Sequence, residues 1–303
     1  MERLPRWAST FSIVARDPET GELGVAVQSH YFSVGTAVPW AAYGVGAVAT
    51  QSFVEPAYGP RGLRLLARGT APATALRRLT AADAKREVRQ VAFVDARGRA
   101  AAWTGAGCIA HAGHAVGRNY SAQGNLLASP DVWGDMGAAF ERTRGTLAER
   151  LVSALEAGQR AGGDARGMQS ACLLIVGEPE RGKPWTERKT DLRVEDHPSP
   201  IRELRRLLTL QRAYALGDEA EEATLAGDVR RAEATYARAV RMAPENDELL
   251  FWRGAMRMRL GRKDGAVRDV RDAIRMNPRW RKLLPRLGDD QFPRAGEVLR
   301  ALR

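Results

Sequence analysis

The sequence predicts an α+β domain followed by a separate all-α region, and three observations carry that prediction. Apolar runs of strand length fill residues 10 to 177, with helical stretches grouped between them instead of alternating one for one. After Pro198-Ser199-Pro200 the pattern becomes continuous helix. Inside that helical part, small residues and prolines recur at an offset of 34 positions. The expected division is a leader over residues 1–9, an α+β domain over 10–200 and a helical domain over 201–303.

Taken in order, "TFSIVAR" and "ELGVAVQS" flank Asp17-Pro18-Glu19-Thr20-Gly21, a strong turn signal, and predict a hairpin. "GVGAVATQSF" (44–53) predicts a third strand, Gly-rich as where backbone approaches closely. Helices are expected near 60–68 and 71–80. "RQVAFVDARGRAAAWTG" then predicts a hairpin around Asp95-Ala96-Arg97-Gly98, and "HAVGRNYSAQGNLLAS" an irregular strand region. Two amphipathic helices follow. Residues 130–142 place Val132, Met136, Ala139 and Phe140 on one stripe, and 147–160 place Leu147, Leu151, Ala154 and Leu155 likewise, ending at Gly162-Gly163. "SACLLIVGE" reads as a buried strand and "TDLRVEDH" as an edge strand.

In the helical part Ala232, Tyr236, Ala239 and Pro244 recur as Ala266, Val270, Ala273 and Pro278, and Gly227 recurs as Gly261. A 34-residue period with small residues at helix crossings and Pro after the second helix is the tetratricopeptide signature. Two such units are few for a free-standing solenoid. They are expected to pack on the preceding domain or on another chain, as a platform for a protein partner or for self-association.

Composition bounds the function classes. The chain of 303 residues is 44% hydrophobic and contains no run of about 18 apolar residues, so no membrane association is expected. The start, "MERLPRWAST", is basic but lacks a following apolar segment, and the cytoplasm is the expected location. Two cysteines, Cys108 and Cys172, make no disulfide framework and read as small buried hydrophobes. The net charge of +11 is concentrated at the end: residues 251–303 hold 15 Lys and Arg against 6 Asp and Glu. That tail could meet nucleic acid, but no stacking aromatics or nucleic-acid motif accompany it, so a solvated helical face is the favoured reading.

Phosphate-binding glycine loops, the G-x-S-x-G elbow and H-E-x-x-H are absent from the sequence. Cys108, His111 and His114 stand at C-x2-H-x2-H spacing. On a strand that spacing alternates faces and no carboxylate is near in sequence, so packed histidines are expected and no metal site.

"TFSIVARDPETGELGVAVQS", "VPWAAYGVGAVATQ", "RQVAFVDARGRAAAWTG", "AGHAVGRNYSAQGNLL" and "GGDARGMQSACLLIV" together resemble a bacterial domain-of-unknown-function family with an Ntn-hydrolase-like (N-terminal nucleophile) fold, over about residues 9 to 200. The resemblance implies a four-layer αββα sandwich, two antiparallel sheets face to face with helices outside. It also implies a reaction. The first residue of the mature first strand attacks an amide carbonyl, and its own α-amine, far more available as free base near neutrality than a Lys amine, acts as base. The match puts Thr10 in that place, although a β-branched residue also suits a strand start for packing alone. Met1 to Ser9 precede it, so Thr10 becomes a terminus only if the Ser9–Thr10 bond is cut or translation begins later.

Around Thr10, Gln28 with Ser29 and Thr50 with Gln51 end strands and are candidate substrate-binding walls. Asn125 is a candidate catalytic amide donor to an oxyanion. Asp164 and Arg166 are candidates for holding an amine or a carboxylate. Turn or capping roles remain open for each, most of all for Asp164 in its Gly-Gly-Asp turn. The leading expectation is an amide-bond hydrolase acting on a small amide or peptide-like compound without cofactor. Its alternatives are a catalytically silent scaffold with a docking tail and, more weakly, a nucleic-acid binder.

Overall fold

A computed structural model describes residues 7, 8 and 10–303, the first two by backbone alone. The expected leader therefore lies largely outside the described residues. Contacts divide the chain into two compact units, Met1–Arg205 and Arg206–Arg303, a few residues later than the expected boundary because the first long helix runs across it.

The first unit is built from strands β1 (Trp7–Ala8), β2 (Thr10–Arg16), β3 (Leu23–Ser29), β4 (Pro39–Ala42) and β5 (Gly46–Phe53), then helices α1 (Tyr58–Ala67) and α2 (Pro72–Ala81). Strands β6 (Arg89–Asp95), β7 (Ala100–Thr104), β8 (Gly113–Gly117) and β9 (Tyr120–Asn125) follow. Helices α3 (Val132–Arg142) and α4 (Leu147–Arg160) come next, and β10 (Ser170–Val176) and β11 (Arg188–Val194) close the unit. All strand pairs are antiparallel. Sheet I is five-stranded, ordered β1-β5-β6-β7 with β4 also on β5, and sheet II is six-stranded, ordered β11-β10-β3-β2-β9-β8. The α+β class expected from the sequence holds.

Local chemistry explains the elements. Asp17 Oδ1 accepts from the amides of Glu19 (2.8 Å) and Thr20 (3.2 Å), and Gly21 takes φ 75°, so the β2–β3 turn closes on side chain and glycine together. Thr146 and Glu149 form a reciprocal capping box at the start of α4. The strand β4 is absent from the sequence expectation: "PWAA" is short, begins on Pro39 and pairs only through β5, where proline is tolerated at a strand start.

Strand alternation divides the burial. Val14, Val25 and Val27 of sheet II pack with Ala47, Ala49, Ala92 and Val94 of sheet I in one cluster. The opposite face of sheet I packs Val48, Val91 and Phe93 against Tyr58, Leu66 and Leu76 of α1 and α2. On sheet II the other face meets α3 and α4. A Cβ on Gly24 would touch Leu151, and one on Gly158 would touch Met136 and Phe11.

The second unit comprises α5 (Pro200–Leu225, whose first turns belong to the first unit), α6 (Val229–Met242), α7 (Asp247–Arg259), α8 (Lys263–Met276), α9 (Arg279–Leu283) and α10 (Ala295–Ala301). Asp228 and Asn246 cap α6 and α7 by accepting from Arg231 and Leu249 amides. The repeated Ala positions and the Tyr236/Val270 pair are buried: Ala232, Ala239, Ala266, Ala273 and Val270 have no exposure and Tyr236 has 2%, while the repeated Gly and Pro positions are exposed. Among the described residues no helix is long and apolar enough to cross a membrane.

Candidate functional site

Between the two sheets, at the end where β2 begins, the apolar filling gives way to amides and hydroxyls. Thr10, the first residue of β2, is fully buried and pairs across sheet II with Ser29 of β3 and Asn125 of β9. Its Oγ1 donates to Ser29 Oγ at 3.2 Å. From sheet I, Gln51 Nε2 donates to the Thr10 carbonyl oxygen at 3.2 Å and to Gln90 Oε1 at 2.8 Å. Asn125 Nδ2 reaches the same two acceptors, at 3.5 Å and 3.0 Å.

The network extends down the strands. Ser12 Oγ donates to Gln51 Oε1 and accepts from Gln123 Nε2, both at 2.6 Å, and Ser121 Oγ donates to Gln123 Oε1 at 2.9 Å. Gln90 Nε2 lies within bonding distance of Gly124 O (2.7 Å), Thr104 Oγ1 (2.9 Å) and Gly113 O (3.1 Å). Thr104 Oγ1 and His114 Nδ1 are 2.8 Å apart. Buried amides on both sheets thereby satisfy one another, which is the condition for placing them between apolar layers.

The sequence candidates divide accordingly. Thr10, Ser29, Gln51 and Asn125 come together. Gln28 and Thr50 do not, because each is one residue out of phase on its strand and a one-residue step reverses the face. Gln28 pairs with Phe11 on the α4 side of sheet II, and neither side-chain amide atom has a hydrogen-bond partner among the described residues. Thr50 lies on the α1 side of sheet I and donates to the Glu55 carbonyl oxygen at 3.1 Å. Asp164 and Arg166 pair with each other. Asp164 Oδ2 accepts the His30 amide at 2.8 Å while Arg166 Nε and Nη2 clasp the same carboxylate at 3.2 and 3.0 Å. That pairing clamps the segment after β3 and commits the carboxylate internally.

Ser12, Gln90, Thr104, Ser121 and Gln123 belong to the network without having been singled out, and His114, singled out only for its spacing to Cys108, joins it through Thr104. For Ser12, Ser121 and Gln123 the signal is parity: in "TFSIV" and "YSAQGN" the hydroxyl and amide side chains occupy every second place of the strand. The C-x2-H-x2-H group disperses. Cys108 Sγ donates to the Arg89 carbonyl at 3.3 Å, and burial pushes its thiol above the usual range. Among the described residues no group of three His, Cys, Asp or Glu is placed to hold a metal ion.

Comparison with known proteins places the first unit. Residues 10–204 match the family of unknown function DUF1028. The chain belongs to that family. A DUF1028 crystal structure, protein SPO2555 from Silicibacter pomeroyi, is similar at 34% identity and a TM-score of 0.60, covering 66% of this chain and 84% of that one. No curated protein matches the chain. The DUF1028 match begins at Thr10, the residue on which the amides of Gln51 and Asn125 converge.

Proposed function

We propose that the DUF1028 region is an N-terminal-nucleophile amidohydrolase with the αββα sandwich of that class, acting on a small amide or peptide-like compound. Once the Ser9–Thr10 bond is opened, Thr10 Oγ1 adds to the substrate carbonyl carbon while the freed α-amine takes the hydroxyl proton. The amide C–N bond then breaks, the departing nitrogen receives that proton, and water hydrolyses the resulting Thr10 ester. Ser29 holds the Oγ1 rotamer at 3.2 Å. Gln51 and Asn125 fix the Thr10 carbonyl, so Asn125 is here a positioning residue and not an oxyanion donor. The observation that carries the reading is the buried hydroxyl at the first place of a central strand, held by polar groups from both sheets.

The test is intact mass combined with turnover on a panel of small amides. The reading expects a species beginning at Thr10, activity lost in Thr10→Ala and retained in Thr10→Ser. Turnover by a chain still carrying Ser9 ahead of Thr10 would overturn it.

The second unit supports a companion role. Buried small residues repeating at 34 positions, with α6 and α8 each 14 residues long, favour a tetratricopeptide-type helical platform for a protein partner. With the silent-scaffold alternative, that platform is the whole function, and removal of residues 206–303 abolishes partner capture while the amide panel stays unturned.

A further inference from the structure

The second unit contains a cavity of about 400 Å³ walled by α5, α6, α7 and the segment around Asp290. Four carboxylates line it, those of Asp218, Glu221, Glu248 and Asp290, against one guanidinium, that of Arg259. The unit as a whole is basic, with 21 Lys and Arg against 15 Asp and Glu over residues 206–303, so the balance in the cavity is opposite in sign. Asp218 and Glu221 stand three residues apart on α5, and neither side chain forms a hydrogen bond or ion pair with a described residue. Arg259 does not neutralise them by contact, since its guanidinium donates to the Asp290 carbonyl oxygen.

A second observation is independent of charge. Tyr236 is 2% exposed, yet its hydroxyl has no hydrogen-bond partner among the described residues. The oxygen borders the cavity, 3.9 Å from where a Cβ on Gly217 would stand. Burial first, and then the Glu221 and Asp218 charges, raise its pKa, so it stays a neutral hydroxyl able to donate and accept. The hydroxyl thus has both its donor and its acceptor capacity open to a ligand in the cavity. Trp252 and Met256 supply the apolar and aromatic wall.

We propose that this cavity binds an organic cation, an alkylammonium or guanidinium group on an aliphatic stem. Its charge meets Asp218 and Glu221, one N–H donates to Tyr236 Oη, and the stem lies against Trp252 and Met256. An anion meets net negative charge there, and a neutral ligand leaves the carboxylates unmatched. The cation comes either from a basic side chain of a polypeptide or from a free amine. This reading is independent of the amidohydrolase proposal, since it involves no residue of the first unit.

Calorimetric titration of the full chain with 1,5-diaminopentane and with acetylated, amidated Ala-Lys-Ala tests it. Both cations are expected to bind saturably, while the corresponding Ala-Leu-Ala peptide and glutarate do not. Asp218→Asn combined with Glu221→Gln is expected to weaken cation binding roughly tenfold or more, and Tyr236→Phe several-fold with an unchanged melting temperature. Tighter binding of the lysine peptide than of the diamine identifies a polypeptide source, and the reverse order a free amine. Failure of both cations to saturate, or binding untouched in the acid-neutralised double variant, overturns the site. Because Asp218 and Glu221 are exposed and unpaired, their replacement leaves the fold intact for that comparison.

Discussion

Gln51 Nε2 stands 3.2 Å from the carbonyl oxygen of Thr10, so the first residue of β2 in one sheet is held by a side chain of the other. The same amide nitrogen reaches Gln90 Oε1, and its carbonyl oxygen accepts from Ser12. One side chain thereby serves three partners on two strands, β2 and β6, all fully buried.

Gln51→Leu keeps the size of the side chain and deletes all three bonds. It leaves the Ser12 hydroxyl and the Thr10 carbonyl with fewer partners in an apolar setting, at a cost of about 2–3 kcal/mol. Hydrogen exchange is the fitting measurement, since it locates the loss: protection should fall at β2, β5 and β9 while α6 to α8 keep theirs. Unchanged protection at β2 would show that the network does not hold the two sheets together.

The limits of sequence legibility follow from that arrangement. The hairpin from Thr10 to Ser29 was legible because Asp17 and Gly21 announce its turn, and the repeat because Ala232 and Ala266 share a burial requirement. Site residues were less so. Strands covered on both faces read as continuous apolar runs, so Gln28 beside Ser29, and Thr50 beside Gln51, could not be assigned faces by hydropathy. Only pairing fixes that Ser29 and Gln51 face the other sheet while Gln28 and Thr50 face helices. Asp164 was equally opaque, because its acceptor role depends on the His30 amide, 134 positions away.

Asp269 tests the packing of the repeat. It is 4% exposed and accepts from Arg253 at 2.6 and 2.8 Å and from Arg257 at 2.7 Å. Asp269→Asn preserves the shape but leaves two guanidinium groups facing each other with less compensation, a loss of about 3 kcal/mol. Thermal unfolding should show it as a lowered melting temperature for the second unit. A neutral result would mean that Glu233, which also bonds Arg257, suffices.

Two glycine substitutions should act in opposite directions although both lie in helices. A Cβ on Gly59 of α1 would come within 2.3 Å of Trp40 ring carbons, so Gly59→Ala should destabilise by about 1–3 kcal/mol. On Gly217 of α5 it would stand 3.4 Å from Leu249 Cδ2, an ordinary contact. Gly217→Ala should therefore gain about 0.5–1 kcal/mol from helix propensity. Calorimetric melting of both variants checks the sign in each case, and a stabilised Gly59→Ala would refute the close packing of α1 on β4.

Cys172 reports the opening of sheet II. It sits in β10 between β3 and β11, has no exposure, and burial pushes its thiol up to about 12. Thiolate is the reactive form, so iodoacetamide at pH 8 should leave Cys172 unmodified in the folded chain and label the less buried Cys108 first, read by peptide mass. The same shift links to stability. A thiol whose pKa is raised on folding contributes fully below its ordinary value of 9.0, and that contribution is lost as pH rises from there through about 12. The wild type should therefore lose stability more steeply above pH 9 than Cys172→Ala, which has no thiol to ionise in the unfolded chain. Equal slopes for the two proteins, or Cys172 labelling as fast as Cys108, would show that β10 opens without unfolding the sheet.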